Sequence, residues 1–278
     1  MTNNLPFSDL HVHSYFSDGT ASPAKLLRMA EESGVGLLAV ADHDTFSGSA
    51  ELCSLAENSN VKCIPAAEIT CTENKKQIHV LCYRPDFSNK SFMSFVADGR
   101  HKLDMMSVRL IEKMEKAGLD VSVDEFDKYE YNRSGGGWKA LHYFVNKGIT
   151  ANLHDGASFY DSFGCGYDTA DFPSVKTAIE KIHSANGIAV IAHPGVSIPF
   201  NDPQLFVSEL KKYISYGADG IECFYPEHSD EITAICEKIC DDSGLIKTCG
   251  SDYHGAFGSH PFACPQKRTD ELRLCGII

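Results

Sequence analysis

The run from Gly36 to Ala41 is almost wholly apolar and is followed at once by Asp42 and His43. A short apolar run of this kind fits a strand buried on both faces, which is the habit of parallel sheets covered by helices. The flanking sequence repeats the theme. Pro6–Val12 reads as a strand. Ser22-Pro23 reads as an N-cap followed by proline at the first helical position, with Gly34 placed to end that helix. A helix from about Thr45 to Glu57 and strands at Val61–Ile69 and Gln77–Tyr83 follow.

The rhythm returns near the end of the chain. Val175, Ala178, Ile179 and Ile182 fall on one helical face, Gly187 closes that helix, and the apolar run Ile188–Ala192 follows. Then come a helix over Pro203–Tyr216, a strand over Gly220–Phe224, a helix capped by Ser229 and a strand over Leu245–Gly250. Repeated βα units predict a parallel sheet, open or closed into a barrel, with function gathered at the carboxyl ends of the strands.

Residues 87–171 lose this rhythm. Leu103, Met106, Leu110 and Met114 mark one long amphipathic helix. A glycine triplet, Gly135-Gly136-Gly137, precedes a second helix near Leu141–Asn146. This stretch reads as a helical insertion that covers a site. The expected domains are therefore 1–86 with 172–278, and the insertion 87–171.

Histidines and carboxylates collect where the βα reading puts strand ends. His11 and His13 end the first strand, and Asp18 lies in the loop behind them. Asp42 and His43 end the second, Glu68 the third, and His79 lies in the fourth. His193 follows Ile188–Ala192, Glu222 lies in the next strand, and Asp252 and His254 follow the last. Several carboxylates in one low-dielectric mouth repel each other unless cations sit among them. In His11-Val12-His13 an extended backbone points both imidazoles to one face, and Asp252-Tyr253-His254 repeats the geometry. No cysteine lies among these residues, so a closed thiolate zinc site is not expected. Mixed imidazole and carboxylate donors suit Zn, Mn or Fe.

These residues carry a resemblance. Asp9-Leu10-His11-Val12-His13-Ser14, Ala41-Asp42-His43-Asp44, Ala192-His193-Pro194-Gly195 and Gly250-Ser251-Asp252-Tyr253-His254-Gly255 look like the four motifs of the PHP (polymerase and histidinol phosphatase) family, in order, over about 1–85 and 172–278. The resemblance implies a distorted (β/α)7 barrel with a centre of two to three divalent metal ions. It assigns His11, His13, Glu68 and Asp252 to one ion, Glu68, His79 and His193 to a second, and Asp18, His43 and His254 to a third. Asp18 stands where several relatives have histidine. Asp42 is implied as a group that orients a ligand within the catalytic centre, and Asp9 as structural.

Phe16-Ser17-Asp18-Gly19 and the segment from Gly217 through Glu222 to His228 look most like the branch of small phosphoesterases acting on nucleoside 3′,5′-bisphosphates and short RNA 5′ ends. That branch carries an Arg-Pro-His-like element where this chain has Arg133-Ser134-Gly135-Gly136-Gly137-Trp138-Lys139. The expected reaction is hydrolysis of a phosphate monoester by metal-activated water. Three divalent ions bring about six positive charges against about three from Asp18, Glu68 and Asp252, which leaves a mouth suited to phosphate. His228 is the expected general acid and Glu222 the expected contact to a sugar hydroxyl. Arg133, Lys139 and Arg109 are expected on a second phosphate, and Trp138 on a base. The alternatives are a histidinol-phosphate-type phosphatase, a nuclease or proofreading module, and a non-enzymatic regulatory domain.

Bulk properties bound these readings. The formal charge of −13 over 278 residues argues against long nucleic acid as a partner. No stretch is apolar enough to span a bilayer, and Met1–Asp9 lacks the basic flank and apolar run of a signal peptide, so no membrane partner and a cytoplasmic location are expected. Eleven cysteines without a CxxC pair argue against a disulfide framework, with Cys236 and Cys240 read as small core groups.

Overall fold

The computed structural model describes residues 5–278; the expectation about the N-terminal segment falls partly on residues 1–4, outside that range. The chain opens with β1 (Phe7–Val12), α1 (Pro23–Ser33), β2 (Val35–Val40) and α2 (Ser47–Leu55), then β3 (Lys62–Cys63), β4 (Ala66–Glu73) and β5 (Lys76–Tyr83). Helices α3 (Lys90–Lys116), α4 (Val123–Lys128), α5 (Lys139–Asn146) and α6 (Ser158–Ser162) follow. The βα rhythm resumes with α7 (Val175–Ser184), β6 (Ile188–Ile191), α8 (Pro194–Ser197), α9 (Pro203–Ser215), β7 (Gly220–Phe224), α10 (Asp230–Ser243) and β8 (Ile246–Cys249), and β9 (Lys267–Arg268) comes last.

Local chemistry sets the boundaries. Ser22 accepts a hydrogen bond from Lys25 N, Pro23 opens α1, and Gly34 closes it in the left-handed conformation at φ 70°. The strand expected over Val61–Ile69 is two strands, because Pro65 has no N–H to give a ladder. Glu68 therefore does not end its strand; it is the third residue of β4.

The strands form two sheets, β3-β2-β1-β9 and β4-β5-β6-β7-β8. β1 with β2, β2 with β3, β6 with β7 and β7 with β8 are parallel pairs. The fully parallel expectation fails at β5, which runs antiparallel to both β4 and β6. Asn74 and Lys75, both at positive φ, make the tight turn that folds β4 back onto β5 as a hairpin. Single bridges join the two sheets where Val12 meets Tyr253 and where His43 meets Glu68.

The larger apolar core packs β4–β7 against α7, α9 and α10 through Ile69, Val80, Ile179, Ile191, Phe206, Leu210 and Ile221. Leu10, Ala39, Ala41, Leu81, Tyr83, Val190 and Ala192 fill the space between the strands. Helices α3 to α6 have a core of their own around Leu110, Met114, Phe126, Leu141 and Phe144. The whole is a mixed α/β fold.

Candidate metal centre

Nine residues from both sheets and their loops converge on one buried point. His11, His13, Asp18, His43, Glu68, His79 and His193 are all buried, and Asp252 and His254 lie partly open at its rim. His11 Nε2 lies 3.1 Å from His13 Nε2, 3.3 Å from Glu68 Oε2 and 3.5 Å from Asp252 Oδ1. His13 Nε2 lies 3.2 Å from the same Glu68 oxygen and 3.1 Å from the same Asp252 oxygen. Four ligand atoms held about 2.0–2.1 Å from one ion at tetrahedral angles stand about 3.3 Å apart. These separations meet that requirement, and the donor set suits a divalent cation.

The other carboxylate oxygen of Glu68, Oε1, is 2.8 Å from His79 Nδ1 and 2.9 Å from His193 Nε2. Asp18 faces a further group: its oxygens lie 3.3 Å from His254 Nε2, 3.5 Å from His13 Nδ1 and 3.7 Å from His43 Nε2. Asp18 Oδ1 and His43 Nδ1 are buried and form no hydrogen bond despite these neighbours. His43 Nδ1 faces Glu68 Oε2 at 3.1 Å, whereas Asp18 Oδ1 faces His254 and His13. Buried polar atoms are normally paired, so each of these unpaired ligand atoms fits a cation beside it.

The tautomers are set from behind. The His11 Nδ1–H donates to Glu222, which leaves Nε2 as the nitrogen that would give its lone pair to an ion in the cluster. Ser17 gives its own hydrogen to Asp42 at 2.6 Å and sits 3.3 Å from His13 Nδ1, so it accepts the imidazole hydrogen there. The His254 Nδ1–H donates to the carbonyl of Asp252 at 2.8 Å. His193 and Asp252 reach their places at φ 24° and 50°. Such backbone is uncommon outside glycine and gathers at functional sites.

Without bound ions the charges lean on one another. Burial opposes ionisation of Glu68, yet His79, His11 and His43 pull its carboxyl well below the usual range. Burial likewise opposes charging of His13, but hydrogen bonds to Asp252 and Glu68 push it up to about 10. Burial drives His43 the other way, down to about 3. The carboxylates are thus ready-made anions at neutral pH, and protons on imidazoles hold the place of positive charge.

Residues 9–161 match the PHP domain family. The chain belongs to the PHP-domain family. Among its curated relatives, the 5′-3′ exoribonuclease of Haemophilus influenzae is 30% identical, over 88% of this chain and 89% of its own length. A phosphoribosyl 1,2-cyclic phosphate 1,2-diphosphodiesterase of Eggerthella lenta is 26% identical, over 91% and 96%. A 3′,5′-nucleoside bisphosphate phosphatase of Chromobacterium violaceum is 24% identical, over 88% and 86%. In fold, the chain resembles a crystal structure from Bifidobacterium adolescentis, provisionally assigned as a metal-dependent phosphoesterase. The TM-score is 0.76 at 24% identity, covering 94% of this chain and 92% of that one.

Within this PHP domain several residues stand elsewhere than the sequence led one to expect. Glu222 cannot touch a sugar hydroxyl: it is fully buried, and its carboxylate accepts from His11 Nδ1 at 3.1 Å and from His193 N at 2.8 Å. Its strand supplies a second row behind the cluster. His228 is not placed as a general acid. Its Nδ1–H donates to Cys223 O at 3.0 Å, and Nε2 accepts from Gly195 N at 3.1 Å. Both nitrogens are spent on the backbone, and burial lowers its affinity for a second proton. Asp42 lies beneath the cluster, with its oxygens taken by Ser14 N, Ser14 Oγ and Ser17 Oγ. Asp9 is likewise held by Ser251 and Ala263.

Arg133 and Lys139 line one cleft of about 260 Å³, together with Arg100. Arg109 does not join them; it donates to Thr169 O at 3.3 Å. Trp138 stands between that cleft and the cluster, with its ring 6.0 Å from that of His43 and the Arg100 guanidinium over its face at 5.3 Å.

Sequence reasoning missed Arg100 and Tyr225. The signal for Arg100 was its neighbour Gly99, a helix-weakening residue inside a strong helical pattern. A Cβ there would lie 2.5 Å from Asp44 Oδ1, so glycine lets α3 press against the end of β2 and brings Arg100 to the mouth. Tyr225 donates to Asp252 Oδ2 at 2.9 Å. Nothing in its sequence context sets it apart from a core tyrosine.

Proposed function

We propose that this chain is a metal-dependent phosphoesterase acting on small nucleotides, such as nucleoside 3′,5′-bisphosphates or short RNA 5′ ends. The observation that carries this reading is the set of ligand atoms from His11, His13, Glu68 and Asp252 packed 3.1–3.5 Å apart. These four would hold one divalent ion. Glu68 would share its second oxygen with His79 and His193 around another, and Asp18, His43 and His254 would hold a third. Manganese, iron and zinc all suit the donors. Bound there, such ions supply positive charge to phosphoryl oxygens and ionise water near neutral pH.

The chain's own residues position and bind. Glu222 holds the His11 ring and the His193 backbone together. Tyr225 keeps one oxygen of Asp252 occupied and aims the other at His11 and His13. Asp42 acts on His13 through Ser17. Arg100, Arg133 and Lys139 line a cleft on the far side of Trp138 that also holds Asp104, paired with Arg100 at 3.3 Å, and Asp127. The three cations outnumber the two carboxylates and would serve a second phosphate of the same substrate. The named activities of the Haemophilus influenzae and Chromobacterium violaceum relatives support a nucleotide substrate.

The same reading extends to architecture. The seven strands β1, β2 and β4–β8 would form a distorted (β/α)7 barrel from the described part of 1–86, residues 5–86, together with 172–278, supported by the bridges Val12–Tyr253 and His43–Glu68. Residues 87–171 cover its mouth, supported by the hydrogen bond from Gly137 N to Asp18 O at 2.7 Å. No helix among the described residues is long and apolar enough to cross a membrane.

Phosphate release from adenosine 3′,5′-bisphosphate, a ribosyl 1,2-cyclic phosphate and histidinol phosphate, with mononucleotide and phosphate release from a short 5′-phosphorylated RNA beside them, tests the substrate class; the nucleotide substrates are the bisphosphate and the RNA. The highest kcat/KM is expected on the bisphosphate or the RNA. A preference for the cyclic phosphate or histidinol phosphate would overturn the nucleotide assignment.

A further inference from the structure

A cavity of about 370 Å³ lies between helices α3, α5 and α6 and the strand β5. Its walls include Leu103, Met106, Trp138, Tyr160, Tyr167 and Phe257. A partly open space with mainly aromatic and aliphatic walls and the polar side chains of Gln77 and Asp161 on its lining has the form of a small-molecule site. None of the groups assigned above to ions or phosphate fills it.

Its position ties it to the metal centre on two sides. Trp138 forms one wall and also stands 6.0 Å from the His43 ring. Gln77 forms another, and its carboxamide nitrogen is 2.7 Å from His79 Nε2. Gln77 also borders the open concavity that contains His79 and His193, so the cavity meets the mouth of the site at that side chain. Trp138 is shared with the cleft of Arg100, Arg133 and Lys139. A group seated in the cavity would thus have the metal centre at one end and the cationic cleft across the indole.

We propose that this cavity is the nucleobase pocket of the enzyme, with Trp138 as its stacking wall and Gln77 as the polar group at its entrance. The proposal rests on the nucleotide reading above and makes the aromatic cavity, not the metal centre, the part that selects a nucleotide over other phosphate esters. Aromatic walls suit a planar heteroaromatic ring of any sequence, because every base has a π-face. The Tyr160 hydroxyl is already engaged with Ser107 at 2.7 Å, so that wall offers its ring face rather than a polar atom.

Trp138 is the chain's single tryptophan, so its fluorescence reports the pocket directly. Adenosine, which has a base and no phosphate, is titrated into the native protein beside ribose. A saturable change with adenosine and none with ribose at millimolar concentration is expected. No change with adenosine, or equal changes with both, overturns the pocket.

Kinetics give the second arm, with adenosine 3′,5′-bisphosphate beside glycerol phosphate, an ester without a base. Leu103→Trp fills the cavity and Trp138→Ala removes the wall. Each is expected to raise KM for the nucleotide roughly tenfold or more, as loss of a base–aromatic stack does. Glycerol phosphate turnover is expected unchanged in Leu103→Trp, because Leu103 lines the cavity and not the cleft of Arg100, Arg133 and Lys139. An equal fall on both esters in Leu103→Trp overturns the pocket as a specificity element. Retained phosphate release with no adenosine response rejects the pocket and spares the phosphoesterase reading. An adenosine response with no turnover of any ester rejects that reading and spares the pocket.

Discussion

Glu222→Gln separates two roles for a buried carboxylate with the smallest change of shape. In the native protein its oxygens accept from the His11 ring at 3.1 Å and from His193 N at 2.8 Å, and the side chain is fully buried. Glutamine keeps one acceptor and turns the other into an NH2 donor. One of the two partners then faces a donor instead of an acceptor. A buried group left unpaired in this way costs roughly 1–3 kcal/mol, equivalent to roughly 5- to 150-fold in an equilibrium constant. Mutation of groups that orient metal ligands costs about 10- to 100-fold in metal affinity or activity. The two estimates agree. The expected result is metal affinity and kcat both lowered by roughly 10- to 100-fold, with KM for the nucleotide little changed, measured by chelator competition and phosphate release. Metal affinity within twofold of wild type, with the loss confined to KM, would refute the reasoning and return Glu222 to the substrate.

Tyr225→Phe removes the hydroxyl that donates to Asp252 at 2.9 Å; a hydrogen bond to a charged group is worth roughly 1.5–3 kcal/mol, so chelator competition should show metal affinity down roughly tenfold or more. His228→Ala should lower the melting temperature, because it frees Gly195 N and Cys223 O. It should leave kcat within about threefold and the basic limb of the pH–rate profile in place; loss of that limb would restore His228 as the acid. In the metal-free protein His13 is raised from its ordinary 6.5 to about 10 by Asp252 and Glu68 against the cost of burial. A group raised in the folded state stabilises below its unfolded value and loses that contribution as pH climbs through the folded value. Chelator-treated protein should therefore lose melting temperature between about pH 6.5 and 10, and His13→Gln should flatten that slope.

Much of the site was legible because its chemistry is local. His11 and His13 share a face through the two-residue period of a strand, and Asp42-His43, His193 and Asp252-His254 each follow an apolar run that could be recognised as a buried strand. The hairpin was not legible as such. Asn74-Lys75 lacks the glycine that usually marks a tight turn, so β5 read as one more parallel strand, and Glu68 read as a strand-end residue rather than a member of an antiparallel ladder. Roles that depend on distant partners were also hidden. Glu222 and His228 are polar residues at or near a strand end, as the ligands are. Only contacts across about 30 to 210 positions show that they hold backbone and imidazoles in place. The glycine triplet was visible but unexplained. Gly136 lies at φ 73°, and a Cβ on it would sit 2.5 Å from Phe257 Cβ and 3.0 Å from Asp18 O, so that loop can rest on the cluster only without side chains.

The most direct test of the metal centre is to count metal ions per purified chain and follow phosphate release from adenosine 3′,5′-bisphosphate before chelation, after it, and after adding manganese, iron or zinc back. Two or three ions per chain are expected, with activity lost on chelation and restored on reconstitution, and with His11→Ala and Glu68→Ala unable to recover either. Fewer than two ions after reconstitution, or activity indifferent to chelation, would contradict the account.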